Sequence, residues 1–197
     1  MLHNDSLMYW ANSLGFKGIR YKDALTSAAN IGTKAHDAIE MYLQEKLTDT
    51  SNIPLQGFLL WYDIITERAP VKILMIEERM VGRWFGGTLD CLIAIGGRMF
   101  LMDFKTSNHV TYNYFLQLAS YRYLLRELYG IEVAGVIVLQ LNKNEPGFNE
   151  YLLDFAIPEH LMFMMECERC FFSLVYAYYN RKYIEGRFQD IFKGGRP

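Results

Sequence analysis

Cysteine, histidine and proline are all scarce in this chain: 3, 4 and 5 among 197 residues. Three cysteines, Cys91, Cys167 and Cys170, are too few and odd in number for a disulfide framework, which points to a reducing, cytoplasmic setting. Few prolines, 15 glycines and 51% apolar residues exclude a disordered, collagen-like or low-complexity chain. Neither charge sign dominates: 20 Lys and Arg against 22 Asp and Glu leave a formal net charge of −2, so there is no sequence-wide basic field and any polyanion contact must be local. No apolar run is uninterrupted. The longest candidate, LMFMMECERCFFSLVYAYY, contains Glu166, Glu168 and Arg169, so it is expected to be a buried helix and not a membrane span. The start, MLHNDSLMYW, lacks the basic region and apolar core of a secretory leader, and no GxxxxGK[ST] loop occurs, so no ATP-driven motor is expected in this chain.

What is present reads as one domain spanning 1–197, with N-terminal helices over about 4–68 packed on its core. Asn4-Asp5 caps a short first helix that stops at Gly15. A second helix, about Tyr21 to Leu47, keeps one apolar face through Ala24, Leu25, Ala28, Ile31, Ala35, Ile39 and Leu43, with Gly32 a candidate bend. Pro54 to Arg68 is a third. VKILMIEERMV is a strand, and GTLDCLIAI and RMFLMDFKTS are two more joined by a Gly96-Gly97 turn. TYNYFLQLASYRYLLRELYG is a helix closed by Gly130, IEVAGVIVLQL and EYLLDFAI are strands, and Pro158 opens a last helix to about Tyr183. This order predicts an α/β fold of the α+β-like kind: a mixed central β-sheet flanked by helices.

The hairpin carries the chemistry. A two-residue turn at Gly96-Gly97 pairs Ile95 with Arg98 and, step by step, Asp90 with Asp103. Strict alternation then puts Asp90, Leu92 and Ala94 on one face with Met99, Leu101, Asp103 and Lys105. Opposed carboxylates repel across a sheet, and a divalent cation offsets that repulsion, because Mg²⁺ prefers hard oxygen ligands. Lys105 adds a positive charge suited to stabilising developing negative charge. Read without a metal, Asp90 and Asp103 are edge carboxylates and Lys105 an ion-pair partner worth under about 1 kcal/mol.

GTLD followed after a short hairpin by MDFKTS, then QLASY on a helix, with GTKAHDAIE upstream, resembles the PD-(D/E)xK nuclease superfamily in its RecB-like exonuclease branch, of the stand-alone phage type. The ordered motifs cover roughly Ile31 to Arg126. The resemblance implies a restriction-endonuclease-like fold. It also implies that Asp90 and Asp103 are metal ligands, that the backbone carbonyl of Phe104 is a further ligand, and that Lys105 is the catalytic lysine. His36 matches a histidine that adds a nitrogen ligand, and since imidazole suits Mn²⁺ better than Mg²⁺, one or two Mg²⁺ or Mn²⁺ ions are the expected cofactors. Gln117 and Tyr121 match the QxxxY motif, and their spacing of four sets amide and hydroxyl on one helical face. Glu77 aligns with the acidic residue upstream of GTxD, while its neighbour Glu78 points to the opposite face, so one of the two faces the site. Glu40, one turn after His36, is expected to support or pack.

The implied activity is metal-dependent exonucleolytic hydrolysis of DNA phosphodiesters, in phage or mobile-element recombination, repair or replication within a bacterial or phage-infected cell. DNA ends or single-stranded segments are the expected partner, with a helicase or recombination protein and a homo-oligomer as further partners. The alternatives are a structure-selective endonuclease and a non-catalytic nucleic-acid-binding module on the same fold. Cys167-Glu168-Arg169-Cys170 has the CxxC form but lies within a predicted helix, and with no cysteine before His36 an iron–sulfur cluster of four cysteines cannot be built in one chain. Its thiols are expected to be buried or half-buried. Lys17, Arg20, Lys22, Lys34, Arg83, Arg122 and Arg126, interleaved with Tyr21, Trp84, Tyr112 and Tyr114, could follow phosphates and stack bases, but are equally ordinary surface charges and core aromatics, and none is assigned. His109 in a loop could touch DNA; His3 and His160 carry no motif.

Overall fold

The computed structural model describes residues 20–46 and 49–192, so the expected first helix lies outside the described residues. Five strands form one sheet in the order β1 (Val71–Val81), β2 (Gly86–Ile95), β3 (Arg98–Lys105), β4 (Gly135–Leu141) and β5 (Phe148–Asp154). All neighbours are antiparallel except β3 and β4, which run parallel because α3 (Tyr112–Tyr129) crosses between them. Helices α1 (Tyr21–Leu43) and α2 (Ile53–Arg68) precede the sheet, and α4 (Pro158–Phe192) follows it. The expected mixed sheet flanked by helices is therefore what forms. Among the described residues no helix is long and apolar enough to cross a membrane.

Local chemistry accounts for these boundaries. The Asn52 side chain accepts the Leu55 N–H at 3.0 Å and caps α2, and Gly130, with φ +65°, ends α3 in the left-handed region that glycine enters without cost. Gly96 and Gly97 both have positive φ, +58° and +80°, the requirement of the tight hairpin turn whose twist matches the strands. β4 is buried along its whole length, as befits an apolar strand next to the parallel crossover. Gly32 does not start a new helix: α1 runs through it and stops at Leu43, four residues short of the expected end.

The sheet separates two cores. Toward α3 and α4 lie Leu92, Leu101, Leu118, Leu124, Leu125, Val136, Val138 and Met164; toward α1 and α2 lie Ile39, Phe58, Trp61, Ile93, Met102, Phe104, Ile137 and Leu139. Burying each such side chain contributes about 1.5–3 kcal/mol. One expectation is corrected. The apolar stretch from Leu161 to Tyr179 is not a buried helix: only Met164 and Cys167 are buried, and α4 continues past Tyr183 to Phe192 as an exposed rod. Its apolar content exceeds what a single seam against α3 can cover. Cys170 is exposed for the same reason, whereas Cys91 and Cys167 are buried.

Candidate metal centre

The β2–β3 ladder follows the turn-derived register from Ile95 opposite Arg98 to Cys91 opposite Met102, then stops one step before Asp90 and Asp103 would pair. Asp90 instead reaches across with its side chain, and its Oδ2 accepts the Phe104 backbone N–H at 2.7 Å. A carboxylate here replaces a carbonyl of the ladder. On the other side, β1 pairs with β2 up to Ile76–Cys91 and resumes at Glu78–Leu89, omitting Glu77 and Asp90. Glu77 has φ +45°, a conformation that costs a non-glycine residue about 1–3 kcal/mol and persists only where its surroundings impose it.

This kink corrects the assumption of strict alternation. Leu89 and Leu92, three residues apart, both pack into the core facing α3, which an unbroken pleat does not allow. The interruption at Glu77 and Asp90 frees two carboxylates to meet His36, which enters from α1. His36 Nδ1 stands 3.4 Å from Glu77 Oε1 and 3.5 Å from Asp90 Oδ1, and one ligand atom from each of the three lies within 4.8 Å of the others. The other ring nitrogen, Nε2, lies 2.9 Å from the Phe104 carbonyl. A carbonyl only accepts, so Nε2 carries a proton; Nδ1 faces the carboxylates, donating to them while protonated and able to ligate a cation that displaces that proton, as a histidine fixed by its second nitrogen does. Glu78 points elsewhere and accepts a hydrogen bond from the Tyr129 hydroxyl at 3.0 Å.

Behind this cluster Asp103 is fully buried, with Lys105 Nζ 2.7 Å from its carboxylate. Both Asp103 oxygens stand 2.7 Å from Lys105 Nζ, although only Oδ1 is aligned as a hydrogen-bond acceptor and Oδ2 makes no hydrogen bond among the described residues. An imidazole nitrogen and crowded carboxylates, one of them held against a lysine, fit a divalent cation with mixed oxygen and nitrogen preference. His36, Glu77 and Asp90 would supply the donor atoms, already gathered, and Asp103 adds negative charge behind them. The Phe104 carbonyl sits at the cluster, but its nearest partner is His36.

The electrostatics are those of crowded acids. Burial, then the charge of Asp103, pushes Asp90 up to about 7 against the pull of His36 and Lys105. Asp103 is raised as well, chiefly by burial and in spite of Lys105. For His36, burial favours the neutral ring, but the hydrogen bond to Glu77 and the charge of Asp90 outweigh it and lift the group to about 9. Burial also opposes the charge on Lys105, and Asp103 with Asp90 overcomes it, so its pKa stands above the usual lysine value. Lys105 Nζ further sits 5.1 Å from the centre of the Tyr114 ring.

Helix α3 forms the opposite wall. Gln117 Nε2 donates to the Tyr121 hydroxyl at 3.0 Å, and Tyr121 is buried within the fields of Asp90, Asp103 and Lys105. Gly87 is required by this wall: a Cβ there would lie 2.6 Å from Tyr121 Cε1. Tyr114, named from the sequence only among aromatics that could stack bases and not assigned, precedes Gln117 by three and Tyr121 by seven and so shares their helical face. Glu40 does not reach His36, because its Oε1 accepts from Gln44 within α1 at 2.8 Å.

The basic candidates divide. Arg122 and Arg126 turn to the far side of α3, where both bind Glu168 of α4 and line a cavity of about 790 Å³. Arg83 lies over the Trp84 ring at 4.9 Å. Lys17 falls outside the described residues, as does His3. His160 is structural, its Nδ1 accepting the Asp154 N–H at 3.1 Å. No protein-family model matches the chain, and no curated protein matches it.

Proposed function

We propose that this chain is a Mg²⁺- or Mn²⁺-dependent deoxyribonuclease with a restriction-endonuclease-like fold, hydrolysing phosphodiesters exonucleolytically. The observation that carries the reading is the gathering of His36 Nδ1, Glu77 and Asp90 beside the buried Asp103–Lys105 pair, on the motifs that resemble the RecB-like branch. A divalent ion bound there supplies a Lewis acid for the phosphate and lowers the pKa of attacking water.

The protein's own groups have separable tasks. His36, held by Phe104, would offer Nδ1 to a cation in exchange for its proton, and Glu77, Asp90 and Asp103 would supply the negative charge that binds the cation. Lys105, kept charged by Asp103, is placed to stabilise negative charge developing on a phosphate oxygen. Because Gln117 donates to the Tyr121 oxygen, the Tyr121 proton is free to be given to a phosphate on the opposite wall.

The test is end-labelled linear DNA incubated with purified protein and Mn²⁺ or Mg²⁺, beside Asp103→Ala and Lys105→Ala. Loss of nucleotides from ends, abolished in both variants, is the expected result. Absence of metal-dependent cleavage, or equal cleavage by all three proteins, overturns it. Covalently closed circular DNA separates the alternative, since cutting of circles identifies an endonuclease.

A further inference from the structure

Beyond Tyr179, whose hydroxyl donates to the Trp84 carbonyl at 2.6 Å, every described residue of α4 is exposed. The final segment, YNRKYIEGRFQDIF, is a poor helix former on its own, containing Gly186, Asn180, Asp190, two isoleucines and several aromatics. Short helices in water are marginal even with good residues, so this rod needs packing. Part of its exposed apolar surface is aligned, with Tyr176 and Tyr183 standing outside it. Leu174, Ala177, Ile184, Phe188 and Ile191, with Arg181 among them, recur at alternating spacings of three and four, the a/d pattern of a coiled coil. Leu174, Ile184, Phe188 and Ile191 are each more than half exposed. Met164 and Cys167 bury the helix against the α3 core, so the seam that follows lacks a partner among the described residues.

We propose that this seam is a homodimer interface in which α4 packs antiparallel on α4 of a second copy, across a two-fold axis between residues 182 and 183. Self-complementarity selects that occupant. About this axis Ala177, the smallest seam residue, meets Phe188, the largest; Leu174 meets Ile191, and Arg181 meets Ile184. Flanking the seam, Tyr178 comes beside Glu185 and Asn180 beside Arg187, so no like charges are opposed. Arg181 is already neutralised by Glu185 of its own helix at 2.8 Å, which lets its aliphatic stem cover Ile184. A parallel pair would set Arg181 against Arg181 and Ala177 against Ala177, combining repulsion with a void. The seam from Leu174 to Ile191 is about 26 Å long at 1.5 Å per residue. With Tyr178 and Phe192 at its flanks it reaches roughly the lower end of the 1,200–2,000 Å² that stable dimers bury.

Sedimentation equilibrium of the full chain decides the matter. Wild type is expected at twice the chain mass at about 50 μM, and I184E/F188E at the single-chain mass with a cooperative unfolding transition retained at a lower, concentration-independent midpoint. A second measurement stands if that variant does not fold: in a Cys170→Ser background, A177C and F188C chains oxidise to a crosslinked pair only when mixed, Cys91 and Cys167 being buried. The proposal is overturned by a monomeric wild type, which means residues 1–19 or another protein covers the seam. Dimers that survive I184E/F188E overturn it too, as does crosslinking of A177C with itself.

Discussion

The Phe104 carbonyl holds the Nε2 side of His36 at 2.9 Å, while the Phe104 N–H holds Asp90 at 2.7 Å. One peptide segment of β3 thus orients two side chains that arrive from α1 and β2. The cluster is preorganised by backbone, which no side-chain substitution at position 104 removes.

Replacing His36 by Ala should therefore cost metal affinity without unfolding the protein. A decrease of at least about 10–100-fold is expected, since that is the range for losing only an outer-shell partner of a metal ligand. Mn²⁺ should suffer more than Mg²⁺, because imidazole contributes more to the softer ion. Calorimetric titration of both ions into wild type and variant checks this; equal losses would remove His36 from the ligand set.

Asp90→Asn separates stability from activity. The amide oxygen can still accept the Phe104 N–H, while the charge facing Asp103 disappears. In metal-free buffer at pH 8 the variant should be more stable by about 1 kcal/mol or more, since each pKa unit of unfavourable shift corresponds to about 1.4 kcal/mol. Thermal unfolding in EDTA reads the gain, and DNA cleavage should be lost in the same preparation.

The pH dependence follows from the same shifts. Asp90 titrates near 7 when folded and near 3.8 when unfolded, so the folded chain holds the extra proton between these values and loses stability as pH rises through about 7. His36, raised from 6.5 to about 9, contributes stability fully present below 6.5 and lost as pH climbs through about 9. The metal-free melting temperature should accordingly fall from pH 5 to pH 9. A cation competes with those protons, so the shift in melting temperature on adding Mn²⁺ should grow over that range. A metal-induced shift independent of pH would contradict the ligand assignment.

Gly87→Ala tests the wall formed by α3. The new methyl would stand 2.6 Å from the Tyr121 ring, and relief requires moving that ring or the strand. Overpacking of this kind costs about 1–3 kcal/mol. Denaturant unfolding should show that loss in Gly87→Ala, and the double variant with Tyr121→Ala should recover part of it, the non-additivity expected of residues in contact.

Much of the fold was legible because it is local chemistry. The bounds of β1, the glycine turn and its register, the Gly130 stop of α3 and the order of elements all follow from residue preferences within a few positions. The motif residues His36, Asp90, Asp103, Lys105, Gln117 and Tyr121 could be named from spacing, and the structure brings them to one end of the sheet. The choice between Glu77 and Glu78 could not be made that way. Alternation assigns faces only while the pleat is regular, and the positive φ at Glu77 breaks it. The fate of α4 was equally hidden, since an apolar composition does not say how much neighbouring surface exists to cover it.

What the sequence by itself determined is therefore the periodic part of this protein: its helices and strands, its hairpin register, and the residue types available for chemistry. The tertiary structure alone decided which carboxylates meet. Contacts between α1, β1, β2 and β3 join residues from His36 to Lys105, far apart along the chain, and they hold Glu77 in a conformation its own backbone disfavours. Local preference carries no term for such long-range contacts, which is the physical reason the cluster of His36, Glu77 and Asp90 emerges only in three dimensions.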